Sequence, residues 1–226
     1  MADQKLDLII ERPEETIPAR VVRVVRQAIL DGVLPPGRRL TERELVDLTG
    51  VSRTSIREAI RHLQNLGLVE PTSGRGVRVV VLSSDDVRYI YELRDALEPA
   101  AAELFVLHAT DAEVEELLAC RPPVDADPEE RLRLIYRFDR LLAAGTHNPL
   151  LRDVLDPLYA RIHPLRRLST SIAGRQEAST QEFEELAAAI RARSPERAAR
   201  AAHQHVRAAM QAALVAVGRL ESDSRD

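Results

Sequence analysis

The stretch Gly50-Val51-Ser52-Arg53-Thr54-Ser55-Ile56-Arg57-Glu58-Ala59-Ile60-Arg61 constrains this chain more than any other. It reads as a tight turn followed at once by a helix. Ser52 is a good N-cap, because its hydroxyl accepts a hydrogen bond from an orphan N–H of the first turn. Val51, Ile56, Ala59, Ile60, Leu63 and Leu66 recur at helical spacing, so one face is buried. The opposite face presents Arg53, Thr54, Ser55, Arg57 and Arg61 close to the helix start. Guanidinium forks bind phosphates or read guanine edges with two parallel hydrogen bonds, and the hydroxyls add phosphate contacts. Taken alone, such a face serves equally well as solvated surface.

The flanking sequence decides between the two. Thr41-Glu42-Arg43-Glu44 fits a capping box, and the short helix it opens runs to about Thr49, burying Leu45 and Leu48. Two short helices joined at Gly50, the second basic at its start, match a helix-turn-helix plan. Upstream, Pro18 opens a helix whose apolar residues are Val21, Val22, Val25, Ile29 and Leu30. That helix ends at Asp31-Gly32, and Leu34-Pro35-Pro36-Gly37 forms a turn. Downstream, Leu68-Val69-Glu70 and Val77–Val81 read as two strands around a turn at Pro71–Gly76. That hairpin is a wing, with Arg75 at its tip between Gly74 and Gly76, where the backbone can approach a groove closely.

A chain of 226 residues makes one large or two ordinary domains. Hydrophobic residues form 45% of it and aromatics only 3%, so the core is built from Leu, Val, Ile and Ala and leans helical. The net charge of −4 hides an asymmetry. Residues 17–82 carry eleven arginines against six acidic residues, and residues 83–226 carry nineteen against twenty-five. The basic third is suited to phosphates and the remainder is not. No apolar run is long enough to span a membrane, and residues 1–15 lack the apolar core of a secretion signal. One cysteine, Cys120, fits a reducing cytoplasm.

Ser83-Ser84-Asp85-Asp86 caps a new helix and marks a domain boundary. Beyond it the periodicity predicts helices over 85–108, 111–120, 128–145, 149–160, 162–172, 176–193 and 195–218, with breaks at Thr110-Asp111, Arg121-Pro122-Pro123, Gly145 to Asn148, His163-Pro164, Ala173-Gly174 and Ser194-Pro195. Short connections suit antiparallel neighbours in a bundle. The expected fold is mainly α: a tail over 1–16, a winged helix-turn-helix over 17–82, an all-helical domain over 83–218 and a second tail over 219–226.

Pro36-Gly37-Arg38-Arg39-Leu40-Thr41-Glu42-Arg43-Glu44-Leu45, Gly50 through Ala59, Leu63 and Gly67-Leu68-Val69 closely resemble the DNA-binding domain of GntR-family transcriptional regulators. Glu92-Leu93-Arg94-Asp95-Ala96-Leu97-Glu98-Pro99, Phe138-Asp139, Asn148-Pro149-Leu150-Leu151 and the Ala-rich helix around His205 resemble the effector domain of its FadR-like (FCD) subfamily. The resemblance implies a homodimer that binds double-stranded DNA at a palindromic operator, more often as a repressor, under control of a small-molecule effector. It places DNA contacts on Arg43, Ser52, Arg53, Thr54, Ser55 and Arg57, and the wing tip at Ser73 to Gly76.

Many FCD domains hold a divalent metal through an Asp, a His four residues on, and two later His. Here Asp139 and His205 match, but Ala143 and Phe183 stand at the other two positions. Two ligands of four do not make a firm zinc site, so no metal or other cofactor is expected. The resemblance leaves Arg94, Asp139, Ala143, Phe183 and His205 around a metal-free effector pocket, where Arg94 or His205 holds an organic acid. In a second reading Phe183 fills the pocket and effector control is lost. In a third, Asp139 and His205 form a buried bridge. No nucleophile constellation, phosphate loop or intact metal set points to an enzyme. A winged helix that docks on proteins rather than DNA is the remaining alternative.

Overall fold

The computed structural model describes residues 15–74, 76–123 and 125–223. Thr16 caps the first helix, α1 (Ile17–Leu30), by accepting from the Ala19 N–H at 3.3 Å. The chain then forms β1 (Arg39–Leu40), α2 (Glu42–Thr49), α3 (Arg53–Asn65), β2 (Val69–Pro71) and β3 (Val77–Val79). The wing hairpin is present as expected, and it gains a third strand. The sheet order is β1-β3-β2, all antiparallel, with Leu40 opposite Val77 and Val69 opposite Val79. Two residues are too short a run to announce β1 by alternation. Val21, Val25, Ile56, Leu63, Val77 and Val79 meet in one core. Leu48, expected inside, is 71% exposed, because α2 is two turns long and turns Leu45, with half-buried Val46, to the core.

The remainder is helical: α4 (Ser84–His108), α5 (Asp111–Ala119), α6 (Pro128–Gly145), α7 (Pro149–Ser169), α8 (Arg175–Arg191) and α9 (Pro195–Asp223). Reciprocal capping boxes at Ser83/Asp86 and Thr110/Glu113 open α4 and α5. The long helices α4 and α9 pack along each other. Two expectations fail here. The first is the break at His163-Pro164: α7 continues through Pro157 and Pro164. A proline inside a helix costs roughly 3 kcal/mol. Burial of Leu155, Leu158, Ile162 and Leu165 on the same helix offsets that cost. The second is a tail from residue 219. α9 runs on to Asp223, and Glu221 takes hydrogen bonds from the Ser84 backbone N–H at 3.0 Å and its hydroxyl at 3.1 Å. The end of α9 is thereby tied to the start of α4. Most of the expected N-terminal tail lies outside the described residues.

The winged helix and the bundle touch along α1 and α7. Ala160 of α7 completes the winged-helix core. Arg167 donates to the Leu30 carbonyl at 3.3 Å and pairs with Glu129. Arg26 donates to the Tyr136 hydroxyl of α6.

Candidate functional site

The first candidate surface is the start of α3. Gly50 takes a left-handed conformation (φ 68°) and ends α2. Ser52 then caps α3, accepting from the Ser55 N–H at 3.3 Å. Burial of Ile56, Ala59, Ile60 and Leu63 turns Ser52, Arg53, Thr54 and Arg57 outward. Ser55 is half-buried, its hydroxyl 3.1 Å from that of Ser52. Arg43 projects from α2 beside Asp47, at 3.8 Å. Arg57 donates Nε–H to both carboxylate oxygens of Glu42, at 2.9 and 3.0 Å. Arg53 is exposed and has no hydrogen bond or ion pair of its side chain among the described residues, so its guanidinium is available to an incoming anion.

At the wing, Gly76 has φ 121°, and a Cβ there would stand 2.5 Å from the Leu40 carbonyl. Glycine is thus required for the approach of β3 to β1, whatever else the wing does. Arg75 lies outside the described residues. Arg78 pairs with Glu70 across the hairpin at 2.7 Å.

The second candidate is a polar cluster inside the bundle. Arg94 is wholly buried, donates to both Glu98 oxygens at 2.5 and 3.2 Å, and stacks over Tyr91 at 4.7 Å. Asp139 accepts from Arg166 at 2.5 Å. Burial pushes the Asp139 carboxyl above its usual range, against the pull of Arg166. His205 Nδ1 lies 2.7 Å from Glu182, which also accepts from Arg175 at 2.7 and 2.8 Å. Burial pushes Glu182 up, but the hydrogen bonds from His205 and Arg175 outweigh it and hold the carboxyl below its usual range. The Asp139–His205 bridge is therefore not formed, since each residue has another partner. Phe183 packs edge-on to Phe138 and tilts against His205, with centroids at 5.0 and 4.8 Å. Ala143 is buried in the core around Tyr159.

A cavity of about 30 Å³ opens beside this cluster, lined in part by Tyr91, Arg131, Arg166, Ser169, Arg175 and His205. Of the five expected pocket residues only His205 reaches it. Its main feature is Arg131, which the sequence reading did not single out. Arg131 is 1% exposed and donates to the Pro123 carbonyl at 2.8 Å and the Thr180 hydroxyl at 3.0 Å. Its Nε and Nη1 are buried without a partner, as is Nη2 of Arg166. Burial draws the Arg131 pKa below the ordinary arginine value. Arg94, Arg166 and Arg175 each pair with a carboxylate, whereas Arg131 has none within ion-pair distance among the described residues and only feels the charge of Glu177.

A divalent cation does not fit this place. Asp139 and His205 are bonded elsewhere, and guanidinium groups surround them. Among the described residues no group of three His, Cys, Asp or Glu is arranged to hold a metal. No helix among them is long and apolar enough to cross a membrane. The single cysteine, Cys120, is buried.

A basic recognition helix in a winged helix, joined to a helical bundle with a buried polar cavity, is the build of a DNA-binding regulator. The comparisons with known proteins specify which kind. The model of the bacterial regulatory proteins of the gntR family matches residues 18–79, and the FCD domain model matches residues 89–208. The chain belongs to the GntR family, in the group that carries an FCD domain, and it is a DNA-binding transcriptional regulator of that type. It is 31% identical to the uncharacterized HTH-type transcriptional regulator YdhC of Bacillus subtilis (strain 168), over 80% of this chain and 82% of that one. It is 28% identical to the Glc operon transcriptional activator of Escherichia coli (strain K12), over 61% and 64% of the two chains. The fold is shared with E. coli McbR/YncC at TM-score 0.74 and 22% identity, covering 85% of this chain and 94% of that one. A GntR regulator of Rhodococcus sp. RHA1 matches at TM-score 0.75 and 23% identity, covering 88% and 97%.

Proposed function

We propose that the chain is a repressor that binds a palindromic operator as a homodimer and is controlled by an organic acid bound in the helical domain. The division at Ser83 separates the two tasks. Support for DNA reading comes from the start of α3, where Arg53 stands exposed and unpaired beside Thr54 and Arg57. In this reading Arg53 and Arg57 contact base edges, while Arg43, Ser52, Thr54, Ser55 and the wing tip around Arg75 and Gly76 divide between bases and phosphates. Support for a second copy comes from α4, whose Tyr89, Leu93 and Leu107 are 63%, 53% and 58% exposed. Tyr89 and Leu93 stand one turn apart and Leu107 lies farther along the same helix, and exposed apolar side chains along one helix suit a self-complementary interface.

The observation that carries the effector reading is Arg131, a buried cation whose Nε and Nη1 have no acceptor. A carboxylate accepts two parallel bonds from such a fork. Arg166, whose Nη2 is also buried without a partner, lines the same cavity and adds a second donor for an acid. The cavity has room for about one water, so an acid binds only by moving the side chains that close it. That movement is what lets it favour one dimer geometry over another. The same small volume favours a second reading, in which the domain is packed shut and the regulator answers to no effector.

The test is selection of the purified protein on random double-stranded DNA at two salt concentrations. An enriched palindrome, lost with Arg53→Ala, is expected. An operator–reporter whose expression rises on deletion of the gene marks repression. No enrichment at either salt, with no effect of organic acids, contradicts the DNA reading and turns attention to a protein partner.

A further inference from the structure

An apolar cavity lies outside the bundle cluster, where the winged helix meets α7 and α9. Its volume is about 370 Å³, more than ten times that of the cavity beside Arg131. It also lies within the range of small-ligand pockets, roughly 300–1,000 Å³. Its walls come from both units: Ile29 and Leu68 from the winged helix, Val79 from the wing, Leu165 and Leu168 from α7, and Val217 from α9. An apolar body entering this space covers apolar wall and gains contacts that water does not supply.

One polar feature sets the chemistry of the occupant. Arg161 of α7 reaches across the cavity wall and lies against Gly67, its Nε 2.9 Å and its Cζ 3.1 Å from where a Cβ would stand. Gly67 has φ +67°, so the turn after α3 leaves the space the guanidinium occupies. The Arg161 Nε–H is buried and has no acceptor. The carboxylate that feels its charge, Asp86, is already bonded to the Ser83 backbone N–H at 2.9 Å and the Ser83 hydroxyl at 2.5 Å. The other cation on the wall, Arg167, is committed to Glu129 and the Leu30 carbonyl. Among the described residues the cavity therefore offers apolar walls and one guanidinium, Arg161, without an ion pair.

We infer that this interdomain cavity is a second small-molecule site, for an apolar monocarboxylate whose acid group accepts from Arg161. Because its walls belong to two units, the occupant binds one relative arrangement of winged helix and bundle better than others, and so biases that arrangement. This site is separate from the one built on Arg131 and does not depend on it.

The test is isothermal titration of the full chain with 1-naphthoate, and with 1-naphthalenemethanol as the uncharged counterpart. Saturable binding of naphthoate at one per chain is expected. Arg161→Met should weaken naphthoate about tenfold or more and leave the alcohol unchanged. Leu168→Trp should remove binding of both by filling the space. Val81→Trp, a change at the exposed edge of the same cavity, repeats that test should Leu168→Trp fail to fold. Absence of saturation at millimolar naphthoate overturns the inference, and so does binding that survives both tryptophan variants. Binding lost in Arg131→Met but kept in Leu168→Trp overturns it as well, because the acid then occupies the bundle. A tryptophan variant that instead shifts the oligomeric mass, with no ligand heat in the parent, shows that a second copy covers the cavity. None of these failures touches the DNA reading, which the operator selection tests alone.

Discussion

Arg57 and Glu42 face each other across the two helices of the helix-turn-helix, with Nε 2.9 and 3.0 Å from the two carboxylate oxygens. The hydrogen bond and the charge of Glu42 raise the Arg57 pKa. A guanidinium proposed to read DNA is thus shared with an acidic residue of the same surface. Phosphates must compete with that carboxylate. Glu42→Gln is expected to tighten binding to operator and random DNA alike, and to steepen the salt dependence by about one counterion. Titrations at several salt concentrations check it. An unchanged slope with weaker operator binding would mean that Glu42 holds Arg57 in its reading position.

Arg53 has no such partner, and its loss should act differently. Arg53→Ala is expected to cost roughly 1–3 kcal/mol on the operator and to relax the preference at one position per half-site. Binding to random DNA should fall much less. Equal losses on both would assign Arg53 to phosphates instead of bases.

Replacing Arg131 separates charge from packing. Arg131→Met keeps most of the side-chain volume and removes a buried cation without a carboxylate partner. It also removes the bonds to Pro123 and Thr180, but Thr180 keeps a bond to the Gln176 carbonyl at 3.1 Å. The two effects oppose each other, so stability should change by no more than about 1–2 kcal/mol. Stabilisation of the parent in thermal melts by small polar organic acids, which the apolar cavity at Arg161 does not favour, should disappear. Equal stabilisation of parent and variant would remove Arg131 from the effector site.

The parts that were legible in sequence are the local ones. The caps at Thr41, Ser52 and Ser83 and the turn at Gly50 are fixed by residues within four positions, so their chemistry can be read without knowing the fold. The continuity of α7 was hidden because a local cost at Pro157 and Pro164 is overruled by burial against other helices. The polar cluster was hidden for a related reason. Arg131 begins the stripe Arg131, Ile135, Phe138 and Leu142, and a charge on an apolar stripe is a signal. Whether such an arginine buries or reaches for solvent depends on distant partners. Thr180 is forty-nine residues from Arg131, and Asp139 is twenty-seven from Arg166. The family pattern drew attention to Ala143 and Phe183, where ligands once expected are replaced by core packing.

His163 gives a pH prediction. It is buried in α7, edge-on to Tyr136 at 5.4 Å. Burial first, then Arg166, Arg167 and Arg26 against the opposing pull of Glu129, push its pKa down to about 3 from 6.5. The unfolded chain therefore binds a proton below about pH 6.5 that the folded chain refuses, and stability falls as pH drops through that window toward 3. The slope approaches about 1.4 kcal/mol per pH unit for one such group. His163→Phe keeps an aromatic ring against Tyr136 and should flatten the loss between about pH 6.5 and 5, above the range where ordinary carboxylates titrate. Denaturant melts across that range check it. Parallel curves for parent and variant would mean that His163 is protonated in the folded protein.

Tyr136 joins the bundle to the DNA-binding unit. Its hydroxyl accepts from Arg26 of α1, the Arg26 guanidinium also stands 5.7 Å from the Tyr136 ring, and His163 packs edge-on to that ring. His163 lies one turn from Arg166 of the polar cluster, and α1 packs on the recognition helix α3. A shift of α7 caused by an acid near Arg166 therefore meets α1 through these two aromatic residues. Tyr136→Phe keeps the ring and its stacking but removes the acceptor for Arg26, whose Nε is already buried without one. It should cost about 1–2 kcal/mol of stability. Operator affinity without acid should stay within about twofold, since no DNA contact is touched, while the change in affinity caused by acid should shrink. Operator titrations of parent and variant, with and without a saturating organic acid, measure that difference directly. An undiminished response in Tyr136→Phe would place the coupling elsewhere, at Arg167 and the end of α1.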